Sequence, residues 1–378
     1  MIRLQKACNL IRDIFVLPKI PLHIPYFDDD DHRSVSEVMK STFVSSVGPE
    51  VNKFEKELAL FLDCKNVILT NTGTAALHVS LLAAGCVSGD LVITQAISFV
   101  ATSNAIKYCN ADPIFIDISP HTLGMCPKSL RNFLTKKTTV TDKGVIHKDT
   151  GRRISCVLPM HTFGNACDIT EIVSISKEFG LMVVEDAAEA LGSKSNEKAL
   201  GTFGDMGTIS FNGNKLITTG GGGAVLCKSK EHAKKIRHIS TTAKVNNKYY
   251  HDEIGYNYRM PNLNAALGLS QLKKVNQLIV KKRELHLKYK EVFADLGLKV
   301  LSECSGTKSN YWLNTVIFNN ELEAERFIKV SNNCGIMTRP VWYLLPDLPH
   351  FKNSPTYNLS VATSLSKKCV SLPSWVEL

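Results

Sequence analysis

The chain has 378 residues, 44% of them apolar and 21% charged, an ordinary globular usage that leaves disordered, collagen-like and membrane classes behind. That length predicts two domains, or one large α/β domain with an appendage. A formal charge of +10 comes from lysines dispersed along helical segments and forms no single basic tract, so it argues for a phosphorylated small substrate and not for nucleic acid.

In chain order, residues 4–15 show amphipathic helical spacing, and Pro18, Pro21 and Pro25 then enforce an extended link. The interruption of residues 10–20 by Arg12, Asp13 and Pro18, with no apolar run of about 18 residues anywhere, predicts neither a membrane span nor a secretory signal, and so a cytoplasmic protein. Asp28 to Asp31 reads as a solvated loop or a helix start. Pro49 after Gly48 opens a helix whose Val51, Phe54, Leu58 and Phe61 face a core. An alternation follows: strand 67–69, helix 75–84, strand 91–94, helix 101–108, strand 114–118, helix 128–134, strand 154–159, helix 169–179, strand 181–185. The polar stretch 136–153 reads as a surface insertion. Segments 208–211 and 224–227 read as a strand pair around a glycine-rich bend.

Beyond about residue 262 the texture changes to a long helical pattern over 263–293, then strand 312–318 and helix 321–332. The expected organisation is an N-terminal helix and link (1–25), a large domain (26–261) and a smaller C-terminal α+β domain (262–378). The fold class is α/β: a mostly parallel sheet between helices, with ligands at the carboxyl ends of its strands. The eleven cysteines, odd in number and without a Cys-x-x-Cys pair, read as reduced thiols, and no metal site is expected.

Four candidate signals fall just after strands. Asn71-Thr72-Gly73-Thr74-Ala75-Ala76 opens a helix whose free N–H groups suit a phosphate, although a Thr-capped turn reads the same way. In Ile97-Ser98-Phe99-Val100-Ala101-Thr102, Phe99 is either a core residue or a flat neighbour for a planar cofactor. Val183-Val184-Glu185-Asp186-Ala187-Ala188-Glu189 carries carboxylates off an apolar strand, placed to pair with a protonated ring nitrogen, to bind a metal or to cap a helix. Lys215 follows Gly207-Thr208-Ile209-Ser210-Phe211-Asn212-Gly213-Asn214 and precedes Gly220 to Gly223, a loop in which an amine can be pocketed for Schiff-base chemistry. The glycines lack the Walker spacing, which rejects a nucleotide P-loop.

These motifs, with Gly255-Tyr256-Asn257-Tyr258-Arg259-Met260, occur in the order seen in pyridoxal-phosphate (PLP) nucleotide-sugar aminotransferases of the aspartate-aminotransferase fold type, which the chain resembles from about residue 20 onward. The segment 43–55 and the N-terminal helix are similar to the branch that aminates C4 of UDP-linked 4-keto-6-deoxy-N-acetylhexosamines.

The resemblance implies that Lys215 carries PLP as a Schiff base, that Asp186 pairs with the pyridine nitrogen, and that Phe99 stacks on the ring. It further implies Glu189 near the ring hydroxyl, Gly73, Thr74 and Ser210 on the phosphate, and Asn257 reaching over from a second subunit of a homodimer. Arg259 and His161 are candidates for the substrate pocket, a structural role for His161 being equally open. Glutamate is the implied amino donor, a nucleotide-linked keto sugar the acceptor, and bacterial surface glycan synthesis the context. The alternatives are amination of GDP-4-keto-6-deoxymannose, a sugar dehydratase and a non-catalytic regulator. By the same resemblance the dehydratases carry histidine in place of Lys215, and retention of Lys215, Asp186 and Ser210 together argues against a regulator.

Overall fold

The computed structural model describes residues 2–15, 17–246 and 249–378. Its helices are α1 (Ile2–Ile14), α2 (Asp29–Ser41), α3 (Pro49–Phe61), α4 (Gly73–Ala83), α5 (Val100–Tyr108), α6 (Pro127–Lys137), α7 (Ile169–Glu178), α8 (Lys230–Ser240), α9 (Asn262–Leu272), α10 (Val275–Ala294), α11 (Glu321–Asn333) and α12 (Ser360–Ser366). Its strands are β1 (Asn66–Thr70), β2 (Leu91–Gln95), β3 (Asp112–Ile116), β4 (Thr138–Thr141), β5 (Gly144–His147), β6 (Arg153–Leu158), β7 (Met182–Asp186), β8 (Lys194–Ser195), β9 (Lys198–Ala199) and β10 (Met206–Ser210). They continue with β11 (Gly223–Cys227), β12 (Lys299–Val300), β13 (Thr307–Lys308), β14 (Asn314–Ile317), β15 (Arg339–Pro340), β16 (Thr356–Tyr357) and β17 (Cys369–Leu372).

The large sheet runs β1-β11-β10-β7-β6-β2-β3-β16, with the hairpin β4–β5 joined to β6. Neighbours from β10 to β16 pair in parallel, and β11 lies antiparallel between β1 and β10. Strands such as β2 and β10 are buried at every position, as a sheet covered on both faces requires. One face carries Val51, Phe54, Leu58, Ile172 and Leu272, and the other carries Ala76, Leu77, Val79, Ile106 and Ile236. This is the α/β class expected.

A second sheet, β12-β14-β17-β15, packs with α1, α10 and α11 through Ile11, Tyr289, Phe293 and Phe327. The N-terminal helix thus covers a core built from distant parts of the chain, while β16, far along the sequence, completes the edge of the large sheet.

Two expectations need correction and a third is resolved. The stretch 136–153 is no loose insertion: Thr138 to Thr141 and Gly144 to His147 form a hairpin that extends the sheet, with Val145 and His147 buried, because the β-branched runs Thr138 to Thr141 and Val145–Ile146 favour strand. The helical pattern over 263–293 is two helices. The chain turns between Leu272 and Val275, and that turn sets the Lys274 ammonium 2.7 Å from Asp28 and 2.8 Å from Asp31. Of the two readings of the acidic run, the helix start holds: Asp28 caps α2 in a reciprocal box with Asp31, whose side chain is buried.

Candidate active site

The parallel strands β2, β6, β7 and β10 end on one edge of the large sheet, and the loops that follow them wall a cavity of about 550 Å³. Side-chain alternation along β7 sorts the acids. Glu185 and Asp186 point to opposite faces, and only Asp186 lines the cavity. Its carboxylate accepts from Thr102 Oγ1 at 2.6 Å and from the Ala188 N–H at 3.1 Å. Burial pushes this carboxyl up, against the opposing pull of those hydrogen bonds and of Lys215.

Glu189 returns to the cavity. One oxygen accepts the Phe163 N–H at 2.9 Å, and the other lies 3.3 Å from Lys215 Nζ. Phe163 presents that N–H from a left-handed backbone, φ 57°, a conformation that costs a non-glycine residue about 1 kcal/mol. Burial raises the Glu189 carboxyl to about 7 despite the neighbouring ammonium. Lys215 sits in the loop after β10 with its side chain 11% exposed. Its Nζ lies 4.1 Å from the centre of the Trp312 ring, and the Trp312 indole N–H donates to Asn214 O at 2.6 Å, so the loop is tied to the segment that precedes β14.

The third component is an anion cradle. Thr72 caps α4 by accepting the Ala75 N–H at 3.0 Å. Gly73 and Thr74 therefore open the helix toward the cavity, where first-turn N–H groups have no intrahelical partner. Ser210, at the end of β10, faces them: a Cβ on Gly73 would lie 2.8 Å from Ser210 Cβ, and one on Gly223 would lie 2.5 Å from Thr72 O. Glycine at both positions keeps the cradle open. Phe99, 48% exposed at the start of α5, forms another wall. An amine, a strand-end carboxylate, an aromatic face and an N–H and hydroxyl cradle in one cavity form the donor set that PLP requires, so the residues fit the cofactor.

The cavity unites Gly73, Thr74, Phe99, Asp186, Glu189, Ser210 and Lys215. It does not include His161, Asn257 or Arg259. His161 is fully buried; its Nε2 lies 2.9 Å from Glu185, and the Cys167 N–H points at its Nδ1. Glu185 also accepts the N–H groups of Gly201, Phe203 and Gly204, which makes this pair structural and corrects the substrate-pocket reading of His161. Asn257 and Arg259 line a separate surface pocket of about 700 Å³ with Gly48, Asn52 and Lys244. There Arg259 lies 3.6 Å from Glu55 and 3.3 Å from Asn52.

Sequence reasoning did not single out Thr102, Trp312 or the wall Arg339 to Tyr343. Thr102 falls three residues after Phe99 in the same first helical turn, a spacing that could have found it. Nothing local marks Trp312 or Arg339, which the second sheet brings to the cavity.

A model of the DegT/DnrJ/EryC1/StrS aminotransferase family matches residues 25–378. The GDP-perosamine synthase of Vibrio cholerae is 35% identical over 362 residues, spanning 94% of this chain and 94% of that protein. The GDP-perosamine synthase of Escherichia coli O157:H7 is 36% identical over 360 residues, spanning 95% and 94%. A solved DegT/DnrJ/EryC1/StrS aminotransferase from Brucella abortus superposes with a TM-score of 0.83 at 26% identity, covering 92% of this chain and 90% of that one.

Proposed function

We propose that this chain, which belongs to the DegT/DnrJ/EryC1/StrS family of PLP-dependent sugar aminotransferases, moves an amino group from glutamate to the C4 ketone of a GDP-linked 4-keto-6-deoxy sugar. The observation that carries the chemistry is the meeting of Lys215, Asp186 and the Gly73–Ser210 cradle in one cavity. The two GDP-perosamine synthases, alike over almost the whole chain, favour the GDP-linked substrate over the UDP-linked N-acetyl sugar expected from residues 43–55.

Bound in the cavity, PLP supplies an aldehyde that carries the amino group between the two substrates and a ring that takes up the electron pair of the broken C–H bond. The protein supplies position and protons. Gly73 and Thr74 N–H groups and the Ser210 hydroxyl would hold the phosphate, and Phe99 would wall the ring. Asp186, fixed by Thr102 and Ala188, keeps the ring nitrogen protonated, because an opposite charge in a poorly solvated place favours ionisation of both groups. Lys215 Nζ anchors the cofactor between turnovers and, when freed, moves the proton at the reacting carbon. Glu189, 3.3 Å away, orients that amine. One pocket serves donor and acceptor in turn, which gives ping-pong kinetics.

The assembly is a homodimer in which Asn257 of one chain completes the phosphate site of the other. In support, Asn257 lies outside its own chain's cavity, and Phe43, Val47 and Ile254, in neighbouring stretches of chain, are 61%, 81% and 84% exposed. Among the described residues no helix is long and apolar enough to cross a membrane, and we place the enzyme in the bacterial cytoplasm, making sugars for surface glycans. The test is incubation of the PLP-loaded protein with glutamate and, separately, GDP-4-keto-6-deoxymannose or the UDP-linked 2-acetamido-2,6-dideoxy-hexos-4-ulose, with products read by mass spectrometry. Amination of the UDP-linked sugar alone would return the enzyme to the other branch.

A further inference from the structure

The inner half of the cavity accounts for the cofactor, but its outer wall, built by Leu22, Trp312, Ser371 and the run Arg339 to Tyr343, has no role so far. Among the described residues two cationic side chains line the cavity, Lys215 and Arg339. Lys215 faces the Glu189 carboxylate, whereas Arg339 pairs with no carboxylate among the described residues. Its Nη1 donates to Asn332 Oδ1 at 3.2 Å and to Thr338 O at 3.1 Å, both neutral acceptors.

Those two bonds use both protons of Nη1. The Nε–Nη2 edge remains, which is the edge of a guanidinium that meets a phosphate with two parallel hydrogen bonds. The anchor is itself held: Asn332 Nδ2 donates to Ile328 O at 2.7 Å and to Thr338 O at 3.1 Å. The backbone is held too, since Arg339 stands opposite Ser371 in the β15–β17 ladder. Beside it the Trp342 ring packs 4.9 Å from Phe163 and 6.2 Å from Phe99, while Tyr343, 80% exposed, leaves an aromatic face uncovered at the mouth.

We infer that Arg339 binds the diphosphate of the nucleotide-linked substrate and that Tyr343 offers the stacking face for its base. The inference rests on the nucleotide-sugar reading proposed above. Phosphate in the α4 cradle belongs to the cofactor, so a substrate that carries two further phosphates calls for a cation besides Lys215, and among the described residues of this cavity that cation is Arg339. Stacking on Tyr343 does not by itself choose among bases, because every base has a π-face.

The test is calorimetric titration of the PLP-loaded enzyme with GDP, together with the visible-absorbance change that glutamate alone produces. Arg339→Ala should weaken GDP about 10- to 100-fold, and Arg339→Lys nearly as much, because a point charge cannot reproduce the two-bond fork. Tyr343→Ala should weaken GDP about 5- to 100-fold while leaving inorganic pyrophosphate binding unchanged. The glutamate-driven absorbance change should keep its wild-type rate and glutamate dependence in all three, which also shows that they are folded and loaded. Wild-type GDP affinity in Arg339→Ala overturns the inference. So does a defect confined to the glutamate half of the reaction, which would make Arg339 the site of the donor's carboxylate. A wild-type enzyme that binds neither GDP nor UDP and aminates neither sugar refutes the nucleotide-sugar reading itself, an outcome distinct from failure of the Arg339 variants alone.

Discussion

Replacing Glu189 by Gln gives the sharpest test of the electrostatics at the centre of the cavity. Burial raises this carboxyl from the ordinary 4.5 to about 7, with Lys215 and the Phe163 N–H pulling the other way. As pH rises through that window the unfolded chain releases the proton while the fold keeps it. The fold therefore binds more protons than the unfolded chain, and stability falls with rising pH until the loss is complete above about 7. Over the roughly 2.5 pH units between those values, at about 1.36 kcal/mol each, the loss is about 3 kcal/mol. The amide in Glu189→Gln still accepts the Phe163 N–H and does not titrate. In urea unfolding of the cofactor-free protein, the variant should gain on the wild type by about 3 kcal/mol between pH 4.5 and 7.5. Parallel stability curves across that range, or a gap that opens in favour of the wild type, would refute the reasoning.

Lys215→Ala should fold yet lose the visible absorption of the bound cofactor, and borohydride reduction of wild-type enzyme followed by mass mapping should place the phosphopyridoxyl group on Lys215; its appearance on Lys194 or Lys244 would sink that assignment. Asp186→Asn should retain PLP and lose turnover by about 100-fold or more, since a neutral amide cannot hold the ring nitrogen charged; near-normal turnover would pass that role to another group. Mixed Lys215→Ala and Asn257→Ala chains should recover activity, because in a hybrid dimer one site carries both lesions and the other neither. With the Asn257 variant first shown to be impaired, hybrids no better than their parents would reject the shared site.

Much of this site was legible because the sheet makes it so. Apolar strands that end in small or polar residues mark Asp186, Ser210 and the turn at Gly73, and each lies where a strand of the large sheet gives way to a loop or helix. Glu185, Asp186 and Glu189 were not separable by composition, but period-two alternation turns Glu185 to the far face, where four hydrogen bonds occupy it. His161 follows from the same geometry, since its ring goes where Glu185 goes. What stayed hidden depends on tertiary assembly. Trp312, just before β14, reaches Lys215 only through tertiary packing, and Arg339 at the mouth lies on β15, whose two residues are too few to show a periodicity. The break between α9 and α10 is equally opaque, because no glycine or proline lies there and the turn's partner, Asp31, is far away in sequence.

The pairing of β15 with β17 also bears on biosynthesis. Lys215, Asp186, Ser210 and Gly73 are all made before the chain is two-thirds complete, yet the ladder that holds Arg339 needs Ser371 and Val370. The outer wall is therefore the part of the pocket that closes last, and Arg339 is fixed only when both ends of the second sheet have been made.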